Sequence, residues 1–201
     1  MAPLTSDPTT LLLVALLAYL LGSVPFGIVI TRAMGLGDLR QIGSGNIGAT
    51  NVLRTGNKAA AAATLVLDAA KGGIAVLIAR AMVGEDAAQV AALASFLGHL
   101  FPVWLRFKGG KGVATFLGTL LALSWPIGLA CCATWLVAAA LGRISSLAAL
   151  VAAASSTFWM LALGQGRMLF LGIILTLLVF WRHSANIQRL RAGTEPKIGQ
   201  K

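Results

Sequence analysis

The sequence contains few of the side chains from which soluble proteins build their surfaces and most enzymes build their active sites. Its 201 residues include six carboxylic acids, two histidines and two cysteines, and charged side chains make up 11% of the chain. Soluble domains carry about a quarter of their residues as charged side chains, so this composition excludes an ordinary soluble domain. The shortage of acids and histidines also leaves no convincing set of nucleophile, base and orienting residue for covalent catalysis.

The two cysteines, Cys131 and Cys132, are neighbours within an apolar run. Adjacent cysteines cannot close a useful loop, and they lack a metal-ligand spacing such as C-x-x-C. The nucleotide-binding pattern G-x-x-x-x-G-K-[ST] does not occur either. We therefore predict no metal site and no cofactor.

Apolar residues take up most of the chain: they make up 58% of it, and the mean hydropathy is +0.86. Seven apolar segments span residues 11–31, 60–82, 87–105, 112–124, 127–141, 146–163 and 168–181. Several are shorter than the roughly 17 residues of a full crossing. This pattern predicts an all-α integral membrane protein with about seven transmembrane helices, some of them short or re-entrant. No lysine or arginine precedes the first segment, which argues against a cleavable signal peptide.

The basic residues separate into alternate connections, which predicts the orientation because cytoplasmic loops collect lysine and arginine. Arg167, Glu85, Asp86 and Asp7 fall on one side. The other side holds Arg32, Arg40, Arg54, Lys58, Arg106, Lys108, Lys111, Arg143, Arg182, Arg189, Arg191, Lys197 and Lys201. We therefore predict an outer N-terminus, a cytoplasmic C-terminus and a single domain over residues 1–201 that ends in a flexible tail at 192–201. Topology thus explains the net charge of +10, and no nucleic-acid partner is expected.

The most informative motif is GSGNIGATN at residues 43–51, followed by Arg54, in the first cytoplasmic connection. Glycines allow close backbone approach, and successive N–H groups can form an anion-binding nest. An arginine can add a bidentate contact to phosphate. We interpret the motif as a phosphate cradle, the alternative being a flexible turn. Its candidate binding residues are Gly43, Ser44, Gly45, Asn46, Gly48, Thr50, Asn51 and Arg54.

A second stretch, residues 99–115, ends in the motif KGGKGVAT at residues 108–115 and lies on the same predicted side. Lys108 and Lys111 among its glycines would attract another anionic group. A lone basic turn is usually a topology determinant. A second glycine- and lysine-rich loop facing the same compartment as the first favours a shared binding site.

A third motif, RHSANIQRL at residues 182–190, follows the last apolar segment. Arg182, Asn186 and Arg189 recur at a spacing of three to four residues, so they can share one helical face. A helix that touches anionic lipid head groups would show the same pattern. His183 and Asn186 are the candidates for chemistry.

Two ionisable residues, Asp68 and Lys71, lie inside the second apolar segment, three positions apart on one helical face. Charged groups within a membrane are unfavourable and usually pair or mark a site. We expect a mutually neutralising structural pair. His99 is expected to be a hydrogen-bonded residue near the inner end of its span.

Together the three motifs resemble the signature motifs of the acyl-phosphate-dependent glycerol-3-phosphate acyltransferases in order, approximate spacing and sidedness. The similarity extends to GSVPFG at residues 22–27 and LDAAKG at residues 67–72. Family members often carry glutamate in the third motif where this chain has Ala185, so a structural role of that glutamate does not transfer.

The resemblance implies a multi-pass enzyme of the bacterial inner membrane with its active site at the cytoplasmic face. It would transfer an acyl group from acyl phosphate to the sn-1 hydroxyl of glycerol 3-phosphate in the first step of phospholipid synthesis. The products would be lysophosphatidic acid and inorganic phosphate, formed without an acyl-enzyme intermediate. Implied partners are these substrates, membrane lipids and a soluble enzyme that produces acyl phosphate; the protein is expected to be a monomer.

We assign residues 43–51 to the acyl-phosphate head and the leaving phosphate. Arg54, Lys111 and the face formed by His183 and Asn186 are assigned to glycerol 3-phosphate, and Lys108 to substrate binding. Ser146 joins the acceptor site, with Ser145 as the alternative. Ser44, His183 and Asn186 are the candidate catalytic residues. Either a phosphate oxygen or His183 accepts the proton of the attacking hydroxyl, and we favour His183 as a positioning residue over a base.

Two other classes of protein are weaker alternatives. A transporter of organic phosphates would also need cationic loops, but the chain has no detectable repeat. A lipid-binding structural protein would leave the polar glycine-rich loop unexplained. An acyl-CoA-dependent acyltransferase would show H-x4-D, whereas Trp104 and Gln188 stand at the fifth position after the two histidines.

Overall fold

The protein is described by a computed structural model over residues 5–199, and within that range it is helical and contains no strand. The described residues form ten α-helices: α1 Pro8–Gly22, α2 Phe26–Ala33, α3 Ala49–Val52, α4 Lys58–Met82, α5 Glu85–Leu100, α6 Val113–Leu123, α7 Trp125–Gly142, α8 Ser145–Ala162, α9 Leu169–Arg182 and α10 Ser184–Arg191. Short 3₁₀ turns cover Leu39–Gln41, Leu53–Thr55, Val103–Leu105 and Gly166–Met168.

Between residues 5 and 199, five helical stretches are long and apolar enough to cross a membrane: Pro8–Ala33, Lys58–Met82, Glu85–Leu105, Trp125–Gly142 and Ser145–Ala162. A sixth arises if Gly166–Arg182 and Ser184–Arg191, which are bent by 63°, are counted as one span. The predicted all-helical membrane fold is confirmed. The segment predicted at 112–124 forms the short helix α6, while the number of crossings and the orientation of the termini stay predictions.

Local capping groups explain where two of the long helices begin. The Asp7 carboxylate accepts a hydrogen bond from the backbone N–H of Thr10, and Pro8 follows it in the first turn of α1. Asn57 caps α4 by accepting from the N–H of Ala60. Such caps satisfy N–H groups that have no partner within the helix.

Small residues let the helices that frame the site approach each other closely, as is common in membrane bundles. A Cβ atom on Gly98 of α5 would lie 2.2 Å from the carbonyl oxygen of Tyr19 in α1. One on Gly118 of α6 would lie 2.1 Å from the carbonyl oxygen of Ala69 in α4. Even alanine would force these pairs apart, so the glycines fix the distances between the helices.

Apolar side chains divide between an interior core and the outer surface. The largest core cluster joins the six helices α4 to α9 and includes Phe96, Phe116, Leu120, Leu171 and Leu175. Many leucines are more than half exposed, among them Leu12, Leu16, Leu77, Leu136 and Leu177. Leucine side chains exposed on the outside of a helix bundle are expected where that surface contacts the hydrocarbon core of a membrane.

Candidate active site

The three motifs meet around one cavity of about 530 Å³. Polar lining comes from Ser44, Asn46, Gly48, Thr50, Asn51, Arg54, Lys111, Ser145, Ser146, His183, Asn186, Arg189, Glu195 and Lys197. Apolar lining comes from helical positions that include Leu65, Leu117, Leu121, Trp135 and Leu136. The predicted convergence of the loops is therefore present, and it adjoins an apolar chamber between helices.

Most predicted site residues line this cavity, but Gly43, Gly45 and Lys108 do not. Both glycines have positive φ, 53° and 67°, so they shape the first loop through their backbones. The Lys108 side chain is exposed, and its carbonyl oxygen accepts a 2.7 Å hydrogen bond from Arg40 Nη2. A substrate contact for Lys108 stays a prediction.

Asn51 holds the first loop in shape from its centre. Its Oδ1 accepts hydrogen bonds from the backbone N–H of Ser44 at 3.1 Å and from Arg54 Nη1 at 3.2 Å. Its Nδ2 donates to the carbonyl oxygens of Leu39 and Ile42, both at 3.0 Å. Both ends of the amide are occupied within the loop, so Asn51 orients Ser44 and Arg54.

The second loop is clamped between α5 and α9. The N–H groups of Gly109 and Gly110 donate to the carbonyl oxygens of Leu100 and His99. Arg182 donates through Nη2 to the Gly109 carbonyl at 3.0 Å and through Nε to the Gly110 carbonyl at 3.1 Å. Arg182 thus braces the loop, and the adjoining Lys111 reaches Asn186 Oδ1 across the cavity.

His183 is buried, and the geometry defines the states of its two ring nitrogens. Nδ1 lies 2.7 Å from the carbonyl oxygen of Val179, and a carbonyl can only accept, so Nδ1 carries the proton. Burial lowers the pKa of His183 to about 4. At neutral pH the ring is therefore uncharged, with the Nε2 lone pair available in the cavity.

The charge of Lys111 is also affected by its surroundings. Burial lowers its pKa to about 8, and the positive charges of Arg189, Arg54 and Arg182 act in the same direction, while Glu195 opposes them. A phosphate group bound between these cations would favour the charged form of Lys111.

Glu195 is a site residue that sequence reasoning missed. Its carboxylate accepts hydrogen bonds from Ser146 Oγ at 2.7 Å, from Asn186 Nδ2 and from Arg189 Nε at 2.6 Å. Burial opposes its ionisation, but these hydrogen bonds and the Arg189 charge hold its pKa below the usual range. One signal was available, since Glu195 is the only carboxylic acid after Asp86.

Part of the segment predicted to be a flexible tail makes specific contacts. Besides Glu195, the N–H of Ile198 donates to the carbonyl oxygen of Arg143 at 2.6 Å. Residues 192–199 therefore pass beside the cavity, and 200 and 201 lie outside the described residues. Whether this segment is flexible stays a prediction.

The buried ions of α4 form the expected pair. Lys71 Nζ lies 2.7 Å from Asp68 Oδ1, and both side chains are buried. His99 is hydrogen-bonded, as expected, through Nδ1 at 3.0 Å from Lys71 Nζ. Asp68 and His99 also border the cavity. Within residues 5–199 no cluster of three or more histidines, cysteines or acids could hold a metal ion.

An all-helical bundle with cationic, glycine-rich loops at a cavity that is partly polar and partly apolar defines the class of an integral membrane protein with a site shaped for amphipathic anions. A family model described as glycerol-3-phosphate acyltransferase matches residues 12–193. The chain therefore belongs to the glycerol-3-phosphate acyltransferase family. The resemblance stated from the three motifs is confirmed at the level of the family.

Relatives and solved structures agree with this assignment over nearly the whole chain. A glycerol-3-phosphate acyltransferase of Cereibacter sphaeroides is 73% identical over 201 residues, covering 100% of both chains. One of Ruegeria pomeroyi is 71% identical over 191 residues, covering 95% of this chain and 94% of the relative. A crystal structure of PlsY, an integral membrane glycerol 3-phosphate acyltransferase, in its glycerol 3-phosphate form has a TM-score of 0.89 and 42% identity, covering 94% of this chain and 96% of that one.

Proposed function

We propose that the chain transfers a fatty acyl group from acyl phosphate to the sn-1 hydroxyl of glycerol 3-phosphate. The products are lysophosphatidic acid and inorganic phosphate, and the reaction begins phospholipid synthesis. Support for the acceptor and product comes from the two similar PlsY structures, 42% and 41% identical, which are described as glycerol 3-phosphate and lysophosphatidic acid forms.

The observation that carries the proposal is that a polar, cationic chamber and an apolar chamber form one cavity. Arg54, Lys111 and Arg189 contribute positive charge at its polar end. Leu117, Leu121 and other apolar side chains of the helices line the rest. An acyl phosphate has the same two parts, and the reaction brings two phosphate groups to one place.

The first loop is our choice for the acyl-phosphate head. Ser44, Asn46 and Thr50 present short polar groups to the cavity. The Thr50 hydroxyl also lies 3.1 Å from that of Ser145, which joins the loop to the start of α8. A phosphate held there would leave the acyl chain to extend between the helices, where the apolar lining lies.

A second group of side chains at the polar end of the cavity is our choice for glycerol 3-phosphate. Arg54, Lys111 and Ser146 supply donors, and Asn186 orients Lys111 through its Oδ1. Because Glu195 accepts from Asn186 Nδ2, the amide cannot turn round without losing both contacts. The acceptor phosphate would thus meet a set of donors whose directions are already fixed.

In the reaction itself, the sn-1 oxygen attacks the carbonyl carbon, and the carbonyl π electrons move onto its oxygen. Collapse of this intermediate breaks the bond between carbon and the bridging oxygen, and the electron pair leaves with phosphate. The hydroxyl proton goes to a phosphate oxygen, giving an ester and hydrogen phosphate. The pKa of such an oxygen is about 6 in phosphate monoesters, which is closer to neutral pH than the pKa of His183, about 4, and therefore better suited to accept the proton. His183 then positions the acceptor.

The choice between acyl phosphate and acyl-CoA as the acyl donor gives the direct test of this function. Purified protein is expected to form lysophosphatidic acid from acyl phosphate and glycerol 3-phosphate, with acyl-CoA a poor substitute, because acyl phosphate carries its own leaving phosphate. Product would be measured with both donors at matched chain length. Equal or faster turnover with acyl-CoA would refute the proposed donor.

The location of the site at the cytoplasmic face has its own test. A cysteine placed at position 45 or 109 should react with a membrane-impermeant thiol reagent from the cytoplasm, and one at position 85 from outside. Replacing Cys131 and Cys132 with alanine beforehand removes the background. Labelling from the reverse sides would overturn the orientation.

A further inference from the structure

The buried ammonium of Lys71 has three donors, and the structure provides three acceptors for them. Its Nζ lies 2.7 Å from Asp68 Oδ1, 2.8 Å from the carbonyl oxygen of Val24 and 3.0 Å from His99 Nδ1. An ammonium group has no lone pair and can only donate. His99 Nδ1 must therefore be the acceptor in its contact with Lys71.

This contact determines the proton position on the His99 ring. A neutral imidazole carries one proton, and with Nδ1 accepting, that proton is on Nε2. His99 is 4% exposed, yet it borders the cavity. Within residues 5–199, no side chain or carbonyl accepts a hydrogen bond from its Nε2. This donor is thus left without a protein acceptor at the cavity wall.

Gly110 packs closely against Nε2 on one side of the ring. A Cβ atom on Gly110 would lie 2.3 Å from Nε2, so any other residue would collide with the imidazole. Gly110 directly precedes Lys111 of the polar chamber. Asp68, which lies 3.6 Å from His99 Nδ1, is followed by Ala69, and Ala69 and Gly118 line the apolar chamber. From these neighbours we place Nε2 near the point where the polar and apolar chambers join.

We propose that His99 is a further catalytic residue, whose Nε2–H donates a hydrogen bond to the carbonyl oxygen of the acyl donor. This rests on the proposed function, because it concerns the same reaction. The carbonyl is the group that joins an acyl chain to its phosphate, so it falls where the two chambers join. During attack, the π electrons that move onto this oxygen create a negative charge, which the hydrogen bond stabilises; they return when phosphate leaves.

Charge favours the carbonyl over a phosphate as the acceptor for His99. The Asp68 carboxylate lies 3.6 Å from His99 Nδ1 and is compensated by Lys71. The neutral imidazole of His99, next to an ion pair whose charges cancel, attracts a phosphate dianion only weakly. The Nε2–H group of His99 instead suits the carbonyl oxygen, which is neutral in the substrate and becomes negative only transiently. A hydrogen-bond donor that is already in place needs no reorganisation when this charge forms.

Two substitutions distinguish a hydrogen bond donated to the substrate by Nε2 from the hydrogen bond that Nδ1 accepts from Lys71. The Oδ1 atom of an asparagine can take the place of Nδ1, so His99→Asn keeps an acceptor for Lys71 and removes the donor from the cavity. The amide of His99→Gln reaches further and can restore a donor near the Nε2 position. We expect His99→Asn to lower kcat by about 10²–10³-fold, the effect of removing one such donor. His99→Gln should lose clearly less, and both should keep the KM for glycerol 3-phosphate.

The comparison is made with purified variants at equal amounts of folded protein. If His99 only supports Lys71, the order reverses, and His99→Asn is the more active variant. That order, or two nearly fully active variants, would refute the proposal. A wild-type protein inactive with acyl phosphate would instead refute the proposed function, so the two failures are distinguishable.

A second measurement needs no activity and no folded variant of His99. The chain has two histidines, so protein labelled with ¹⁵N-histidine gives two side-chain signal sets in long-range ¹H–¹⁵N spectra. We expect opposite tautomers, Nε2–H for His99 and Nδ1–H for His183. The spectrum of His183→Asn assigns the two sets. A doubly protonated or Nδ1–H form of His99 would overturn the proposal.

Discussion

Replacing Arg54 or Lys111 with alanine is expected to lower kcat/KM for glycerol 3-phosphate by roughly one to three orders of magnitude. The basis is the loss of a charge-assisted contact of about 1.5–3 kcal/mol or somewhat more. Both residues line the polar chamber. Arg54→Lys keeps the charge but loses the planar fork, so it should recover only part of the activity if the contact is bidentate.

Matched controls distinguish phosphate recognition from general basicity. Arg191 at the end of α10 and Lys58 at the start of α4 are exposed, and neither lines the cavity. Arg191→Ala and Lys58→Ala remove the same charges and should leave the kinetics nearly unchanged at equal amounts of folded protein. Similar, mild effects of all four alanine substitutions would show that the loops serve topology and lipid contact only.

The pH profile adds a second prediction for Lys111. Since its pKa lies at about 8, its charge is present below that pH and is lost above it. We therefore expect kcat/KM for glycerol 3-phosphate, which reports the free enzyme, to fall as pH rises through about 8. Lys111→Arg stays protonated and should shift the decline to higher pH. An unchanged alkaline limb in Lys111→Arg would assign the decline to another group.

The membrane fold was predictable because its determinants are local. A run of apolar residues such as Leu11 to Thr31 must satisfy its backbone hydrogen bonds within itself in a membrane, which leaves little choice but a helix. The joining of three loops at one cavity followed from sidedness, because loops facing one compartment of a small bundle are neighbours. The family assignment rested on the same motifs and is confirmed.

The sequence did not predict contacts that depend on distant parts of the chain. Asn51 lines the cavity, but the sequence did not show that both ends of its amide also close the loop. Nothing near residue 195 indicated that Glu195 would face Ser146, 49 positions earlier. Likewise, the proton position of His99 depends on Lys71 of another helix. Such roles follow from geometry that residue types and spacing do not encode.

Replacing Glu195 with glutamine is expected to lower kcat/KM for glycerol 3-phosphate by about ten- to a hundredfold. The carboxylate accepts from Ser146, Asn186 and Arg189 at once. A neutral amide accepts more weakly and places a donor against one of these donors, so Asn186 would lose its fixed direction. Removing a partner of a buried charged group costs about 3–5 kcal/mol, and we expect less here because Arg189 is 40% exposed.

The matched control for Glu195 is at the other end of the bundle. Glu85 also pairs with an arginine, Arg80, through Nε at 2.8 Å and Nη2 at 3.0 Å. Glu85→Gln therefore removes a similar ion pair away from the cavity and should leave kcat/KM unchanged.

Two outcomes would contradict the role of Glu195 in orienting Asn186. Equal effects of the two substitutions would make the effect one of general stability. A lower KM in Glu195→Gln would show that the carboxylate competes with the acceptor phosphate for Ser146 and Arg189, because removing a competing anion can only strengthen phosphate binding.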